Sequence, residues 1–357
     1  MTEKDFSSNS FYFDLLEWYD SQNRRLPWRA QSGVTPDPYI IWISEIMLQQ
    51  TTVKTVSSRF PEFISRWPSI KNLAYAKLDK ILHSWQGLGY YARARNLHSC
   101  AKIVVKTYGG HFPQTEIELA ALPGIGAYTA AAISAIAFNN PVLPIDSNIA
   151  RVLSRVNAIE DPVVKSMPLL IKKAQELARA ERPGDFAQAM MDLGSLVCKP
   201  TKPICCNCPI HKSCKAGNFH NPENFPKKLR KKMRPTRWGI VFWAKREDGT
   251  VFFRRRPLSG LLGGMIELPG SKWVPKNNIK FDRKTAPFPA RWHVIPGEVK
   301  HSFSHFNLVL KVAIGETKYD HLKIDGFWHS PHQIEKLALP TLTKKVIKHV
   351  QRHNKTA

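Results

Sequence analysis

Acid is scarce in this chain: 28 Asp and Glu stand against 53 Lys and Arg, a formal net charge of +25. That imbalance excludes polycations as natural partners and points to a polyanion, nucleic acid first, although a merely solvated basic surface is the plainer alternative. Long apolar runs are also missing. The smoothest, Tyr128 to Phe138, falls far short of the ~20 residues a membrane span needs. Met1 to Ser10 is polar, without an apolar stretch or small-residue cleavage pattern. A membrane or secreted reading is therefore excluded, and a cytoplasmic protein is expected. Cysteine is sparse and uneven, with five of the six thiols between Cys198 and Cys214. Such crowding suggests metal ligation rather than a disulfide framework. Apolar content is not lacking: at 43% it supports cores in two or three domains and excludes a disordered chain.

Apolar residues recur at three- and four-residue spacing from Phe11 to about Ala189, the pattern of an all-α region. Helices are expected over Phe11–Tyr19, Ile40–Phe60, Leu78–Gln86, Ala92–Tyr108, Ile117–Leu122, Tyr128–Phe138, Asn148–Ala158 and Leu169–Ala180. Between Asn221 and Arg237, seven basic residues and three prolines accompany a single acid, Glu223. That stretch reads either as a tether or as a segment tracking a phosphate backbone. Short strands follow at Trp238–Ala244, Val251–Arg255, Val299–Phe303 and Leu308–Ile314, with a terminal helix near Ile334–Leu337 and Leu342–Gln351. The expected organisation is a catalytic region over 1–220, a basic linker over 221–237 and a small α+β domain over 238–357.

Leu122-Pro123-Gly124-Ile125-Gly126 sits between two helical segments and leads into Ala127-Tyr128-Thr129-Ala130. Gly124 and Gly126 permit a tight turn and a close backbone approach, and the following helix start has free N–H groups for a phosphate. The motif resembles a helix-hairpin-helix DNA-binding element; a plain turn between packed helices is the alternative. Cys198, Cys205, Cys208 and Cys214 have the spacing C-x6-C-x2-C-x5-C. One inorganic centre could be wrapped by such a loop. Pattern alone leaves zinc open, with His211 as a substitute ligand. Cys100 and Cys206 lie outside the pattern.

Two carboxylates suit cleavage of a glycosidic bond, which calls for an acid at the leaving group and an anion beside a cationic sugar. Glu45 lies in the apolar run Ile40 to Leu48, where desolvation favours its neutral form, unless it occupies the helix's exposed face. Asp146 precedes the helix starting near Asn148, as an N-cap whose N–H donors and helix dipole favour the ionised form.

Taken together, Ser44-Glu45-Ile46-Met47-Leu48-Gln49-Gln50-Thr51, the glycine hairpin, Ile145-Asp146-Ser147-Asn148 and the cysteines resemble the bacterial MutY-type adenine DNA glycosylases of the endonuclease III superfamily. The resemblance spans nearly the whole chain. It implies a helix-hairpin-helix glycosylase with a [4Fe–4S] loop, followed by a Nudix-like domain. It also implies excision of adenine mispaired with 8-oxoguanine or guanine, by a monomer on double-stranded DNA at the bacterial nucleoid. Glu45 matches the acid that protonates adenine and Asp146 the carboxylate that stabilises or captures the sugar cation, with Tyr128 and Asn148 in support. Lyase relatives carry lysine where this chain has Tyr128, so a Schiff base and strand cleavage are not expected. Arg24, Leu26, Trp28, Leu48 and Gln188 match the adenine pocket. Gln50 and Thr51 match a wedge, and Leu88-Gly89-Tyr90 an intercalating loop; Arg93 and Arg95 read either as phosphate contacts or as a solvated helix face. Leu261 to Gly270 resembles a Nudix element, yet Ser271-Lys272-Trp273-Val274-Pro275 follows where a hydrolase has its glutamate-rich helix. That domain is thus expected to bind rather than catalyse, with Phe303, Ser304 and His305 inspecting the oxidised guanine.

Three rivals stand beside this reading. A bifunctional glycosylase/lyase acting on oxidised pyrimidines would be distinguished by substrate profiling. A catalytically silent damage sensor would be distinguished by a turnover assay. A nucleotide-pool hydrolase is disfavoured by the missing acidic helix.

Overall fold

The computed structural model describes residues 8–31, 34–218, 221–229, 233–275, 286–317 and 325–356. Arg230, Lys231 and Lys232 of the basic linker lie outside these residues. By internal contacts the chain forms two compact units, one of 1–75 with 96–230 and one of 76–95 with 231–357.

The first unit is all-α. Its helices are α1 (Ser8–Gln22), α2 (Pro38–Leu48), α3 (Val53–Arg66), α4 (Ile70–Ala74), most of α6 (Ala92–Thr107), α7 (Glu116–Ala120), α8 (Ala127–Phe138), α9 (Ser147–Val156), α10 (Val163–Leu177), α11 (Pro183–Leu196) and α12 (Lys215–Asn218). The single helix expected over Ile40–Phe60 is broken. Gln50 takes a left-handed φ of 56°, and Thr52 restarts the helix by accepting the Thr55 N–H. That side-chain cap satisfies a donor that would otherwise be orphaned at the new N-terminus. Pro61 and Pro168 lie inside α3 and α10, and α10 begins at Val163, before the Leu169 start expected for it. Burial of one face, such as Leu170, Ala174 and Leu177 of α10, outweighs the lost backbone bond. Phe11, Leu15, Ile149, Leu153, Phe186 and Met190 share the core with parts of α8 and α10. Among the described residues no helix is long and apolar enough to cross a membrane.

The second unit holds a mixed sheet of seven strands among the described residues: β1 (Thr236–Lys245), β2 (Val251–Arg255), β3 (Ile266–Glu267), β4 (Arg291–Val294), β5 (Val299–Ser302), β6 (Asn307–Glu316) and β7 (Phe327–His329). The order is β3-β2-β1-β6-β4, with β5 also on β6 and β7 also on β2. The long strands β1 and β6 run parallel, Thr236 opposite Asn307, and α13 (Thr341–Thr356) covers the sheet through Leu342, Val346 and Val350. The α5 segment (Leu78–Ser84) belongs here because polar ties hold it. Asp79 pairs with Arg255 at 2.8 Å, Gln86 donates to the Leu337 carbonyl at 3.0 Å, and Arg95 donates to the Gly263 carbonyl at 2.5 Å. The linker is not a free tether throughout. Its Lys227 N–H meets the Glu160 carbonyl at 2.8 Å, Arg155 donates to the Phe225 carbonyl at 3.2 Å, and β1 already begins at Thr236.

Candidate active site and cysteine loop

Three helices deliver the carboxylate site. Asp37 caps α2 through the Tyr39 N–H at 2.8 Å, with Pro38 at the first helical position, and the helix then carries Glu45 inward to 5% exposure. α2 packs on α8, whose first turn supplies Tyr128. α9 opens on Asp146, whose Oδ1 accepts the Asn148 and Ile149 N–H groups at 2.9 and 2.7 Å, while Asn148 Nδ2 donates to Oδ2 at 2.9 Å.

The two carboxyls differ in environment. Burial lifts the Glu45 pKa to about 7, helped by the nearby Asp146; the Tyr128 hydroxyl, hydrogen-bonded to Glu45, and the Arg29 charge pull it down. Tyr128 is itself held far above the usual phenol range by burial and by both carboxylates, so it stays a hydroxyl donor. Asp146 was expected to be favoured as an anion by its helix terminus. Its three hydrogen-bond donors and the nearby Arg151 charge do that, but burial is the larger influence and leaves its pKa above the ordinary value.

A further layer stands behind Asp146. Arg151 donates to the Asn148 side-chain oxygen at 3.0 Å, to the Gly194 carbonyl at 2.7 Å and to the Cys198 carbonyl at 2.9 Å. Gly194 must lack a side chain, since a Cβ there would lie 2.6 Å from that of Asn148. The sequence offered one signal for this, a glycine inside a helix.

The adenine-pocket candidates are distributed unevenly. Arg24 and Arg29 are both clamped on Asp192, which is fully buried and receives Arg24 Nε at 2.5 Å and Arg29 Nη1 and Nη2 at 2.6 and 2.8 Å. Neither Arg29 nor Asp192 was singled out from sequence, because the pair is joined across 163 positions. Trp28 is buried edge-on against Phe60, whereas Leu26 and Leu48 are half-buried. Gln188 donates back to the Gly184 carbonyl of its own helix at 3.3 Å.

In the hairpin, Gly124 has φ +80° and a Cβ would clash with Asn96 at 2.8 Å, whereas Gly126 caps α8 in an extended conformation with open space around it. Gln50 is exposed and Thr51 half-buried, with the Thr51 hydroxyl on the Gln49 carbonyl at 3.3 Å.

In the second unit Leu88 is buried and Tyr90 is exposed at a left-handed φ of 46°, its hydroxyl against Ser304 Oγ. Arg93 and Arg95 do not form a freely solvated face, since both donate to backbone carbonyls of the chain. Arg93 is buried and donates to the Leu88 and Gly89 carbonyls at 2.8 and 3.2 Å, and Arg95 reaches Gly263. Phe303 turns inward against Trp273 and Phe306, leaving Ser304 and His305 exposed at the tip of the turn.

Cys198, Cys208 and Cys214 pack half-buried against the first unit's core, and Cys205 is half-buried as well. Arg155, itself buried, points Nη1 at Cys198 Sγ from 3.2 Å, and the Gly217 N–H meets Cys214 Sγ at 3.4 Å. Such donors suit anionic sulfur. Ligands of one zinc ion must converge to ~2.3 Å from it. Among the described residues no three His, Cys, Asp or Glu are grouped to hold a single ion.

Comparison with known proteins places both units. Residues 43–179 match the HhH-GPD superfamily base excision DNA repair protein family, and residues 240–349 match the NUDIX domain. The adenine DNA glycosylase of Homo sapiens is 34% identical over 95% of this chain and 73% of its own length. That of Buchnera aphidicola subsp. Baizongia pistaciae (strain Bp) is 33% identical over 96% and 97%. Among solved structures, a thermostable thymine-DNA glycosylase is 27% identical at TM-score 0.53, covering 59% of this chain and 97% of its own. A trapped endonuclease III–DNA covalent intermediate shares the fold at 21% identity and TM-score 0.50, covering 62% and 99%. The fold and site thus define a helix-hairpin-helix base excision repair glycosylase with an appended Nudix-type domain, as expected. The chain belongs to the adenine DNA glycosylase family, a hydrolase of N-glycosyl bonds that excises adenine in base excision repair.

Proposed function

We propose that the chain is a monofunctional glycosylase that flips out and excises adenine paired with 8-oxoguanine, or with guanine. The observation carrying this is the Glu45–Tyr128–Asp146 arrangement, in which one buried carboxyl keeps its proton near neutral pH beside a second that is held by three hydrogen-bond donors. Adenine leaves the stack at a cost of a few kcal/mol. The Glu45 carboxyl gives its proton to a ring nitrogen of adenine, the N-glycosidic bond breaks, and the base carries off the bonding electrons. Asp146 stabilises the resulting sugar cation or captures it covalently, and water then supplies the hydroxyl while its proton passes to a carboxylate. Tyr128 holds Glu45 and Asn148 holds Asp146. Tyr128 has no amine, so no Schiff base forms and the strand stays intact.

Arg24, Leu26, Trp28, Leu48 and Gln188 form the adenine pocket, with Arg24 set by Asp192. Gln50 and Thr51 wedge the duplex, Gly124 and Gly126 let a phosphate approach α8, and Leu88 supports the exposed Tyr90. Ser304 and His305 read the oxidised base, with the half-buried Phe303 as their anchor. Cys198, Cys205, Cys208 and Cys214 hold a [4Fe–4S] cluster, which when bound supplies a rigid inorganic centre for the loop. The protein acts as a monomer on double-stranded DNA in the bacterial cytoplasm, at the nucleoid, and the second unit binds without hydrolysing nucleotides.

The test is a single-turnover assay on a duplex with adenine opposite 8-oxoguanine, followed by alkali, with borohydride added in parallel. Alkali-dependent cleavage at the adenine, with no Schiff-base adduct, is expected. Intact DNA would overturn the substrate, and an adduct that persists in Glu45→Ala would overturn the monofunctional reading.

A further inference from the structure

α13 carries no acidic residue in TLTKKVIKHVQRHNKT. Its buried side joins the second unit's core, and its exposed side presents Lys344, Lys345, Lys348 and Arg352. Lys344, Lys348 and Arg352 are four positions apart and so share one face, spread over ~12 Å at ~1.5 Å per residue. Lys344 falls in the first turn, where the helix dipole disfavours cations, and Lys344 and Lys348 are like charges at i,i+4.

The helix is also tied to the strand that leads into the turn holding Ser304 and His305. It packs on β5, where Lys345 Nζ donates to the Lys300 carbonyl at 2.9 Å and the Lys300 side chain is exposed. β5 runs straight into the turn closed by Phe303 N–H on the Phe306 carbonyl at 2.9 Å, with Ser304 and His305 at its tip. Glu298 precedes β5, at the end away from that turn.

We propose that the exposed face of α13, continued by Lys300, is a phosphate track for duplex DNA, gripping the backbone that flanks the base read at Ser304 and His305. Phosphates follow each other by ~3.4 Å along the axis of one strand, so a 12 Å stripe, as estimated above, meets about three of them. This deepens the adenine/8-oxoguanine reading and rests on it for the strand concerned.

The experiment compares two triple variants of the full chain, Lys344→Gln/Lys348→Gln/Arg352→Gln and Lys102→Gln/Lys106→Gln/Lys165→Gln. The second removes the same charge from exposed positions of the first unit. The readout is the slope of log affinity against log salt on the mispaired duplex. Three lost phosphate contacts should flatten it by roughly 2.7, at ~0.9 per contact, with a smaller change in the control triple. Lys348→Glu alone should weaken binding more than Lys348→Gln, at unchanged melting temperature. Equal slopes in the two triples, or an unchanged slope in the α13 triple, would overturn the track. Excision by the parent is followed on the same duplex. Its absence would sink the adenine reading while the salt slopes still decide the track.

Discussion

Glu45 in the first unit and Glu267 in the second are both acids removed from water, yet the chain treats them oppositely. Glu267 is clamped by two guanidinium groups, Arg254 at 2.8 Å and Arg256 at 2.5 Å. Asp192 is clamped likewise between Arg24 and Arg29. Glu45 has a phenol hydroxyl as its hydrogen-bond partner and a carboxylate as neighbour, and it keeps its proton up to about pH 7. A carboxyl held by fixed cations is committed to structure, because its oxygens are occupied. A carboxyl buried without such a clamp retains a proton to give. The difference separates an acid able to give up a proton near neutral pH, the role proposed for Glu45, from acids that brace a fold.

That contrast can be broken most directly at Glu45. Glu45→Gln keeps the shape and removes the transferable proton, so single-turnover excision should fall by ~10²–10⁴; activity near the parent's would show that another group supplies the proton. Asp146→Asn comes next, with an expected loss of ~10²–10³ in rate from removing the anion beside the sugar. Asparagine caps a helix about as well as aspartate, so its melting temperature should stay close to the parent's. A large drop in melting temperature would instead mark Asp146 as chiefly structural.

The pH dependence sharpens the same comparison. Excision should fall about tenfold per unit above pH 7, as Glu45 loses its proton in the folded state. The stability sign follows from the same shift. The folded pKa is raised from 4.5 to about 7, so the favourable contribution is complete below 4.5 and is lost as pH rises toward and through 7. Glu45→Gln escapes that loss, and chemical denaturation at pH 8 should find it more stable than the parent by up to ~3 kcal/mol, with little difference at pH 4. Equal stability gaps at both pH values would contradict the buried, raised carboxyl. The smallest effect on chemistry belongs to Glu267→Gln. Excision should be unchanged within about twofold, while the partly exposed arginines left without their anion cost ~1–2 kcal/mol in unfolding free energy.

Much of this was legible in the sequence where the physics is local. Helical periodicity placed α8 and α9 but ran α2 and α3 together, the glycine pair placed the hairpin, and Asp146 before a helix announced its own cap. The two longest strands were visible as apolar runs. Very short or half-exposed strands such as Ile266–Glu267 and Phe327–His329 left no period to detect. Arg93 and Arg95 read either as phosphate contacts or as solvent-facing cations, because nothing local shows that carbonyls of the 88–89 loop and of Gly263 await them. The Arg24–Asp192–Arg29 clamp, the Arg151 bridge from Cys198 to Asn148 and the bare Gly194 all depend on residues more than forty positions apart.

The sequence alone determined the residue types of the chemistry: two carboxyls in apolar or capping contexts, a phenol where lyases carry an amine, four grouped thiols and a surplus of cations. Each of these reflects composition or short-range spacing, which the chain carries before it folds. Only the tertiary structure decided which carboxyl keeps its proton and which acids are tied up by arginine, and that residues 76–95 join the second unit. Those outcomes turn on burial and on partners brought together across the chain, and desolvation and charge pairing exist only once the fold has excluded water.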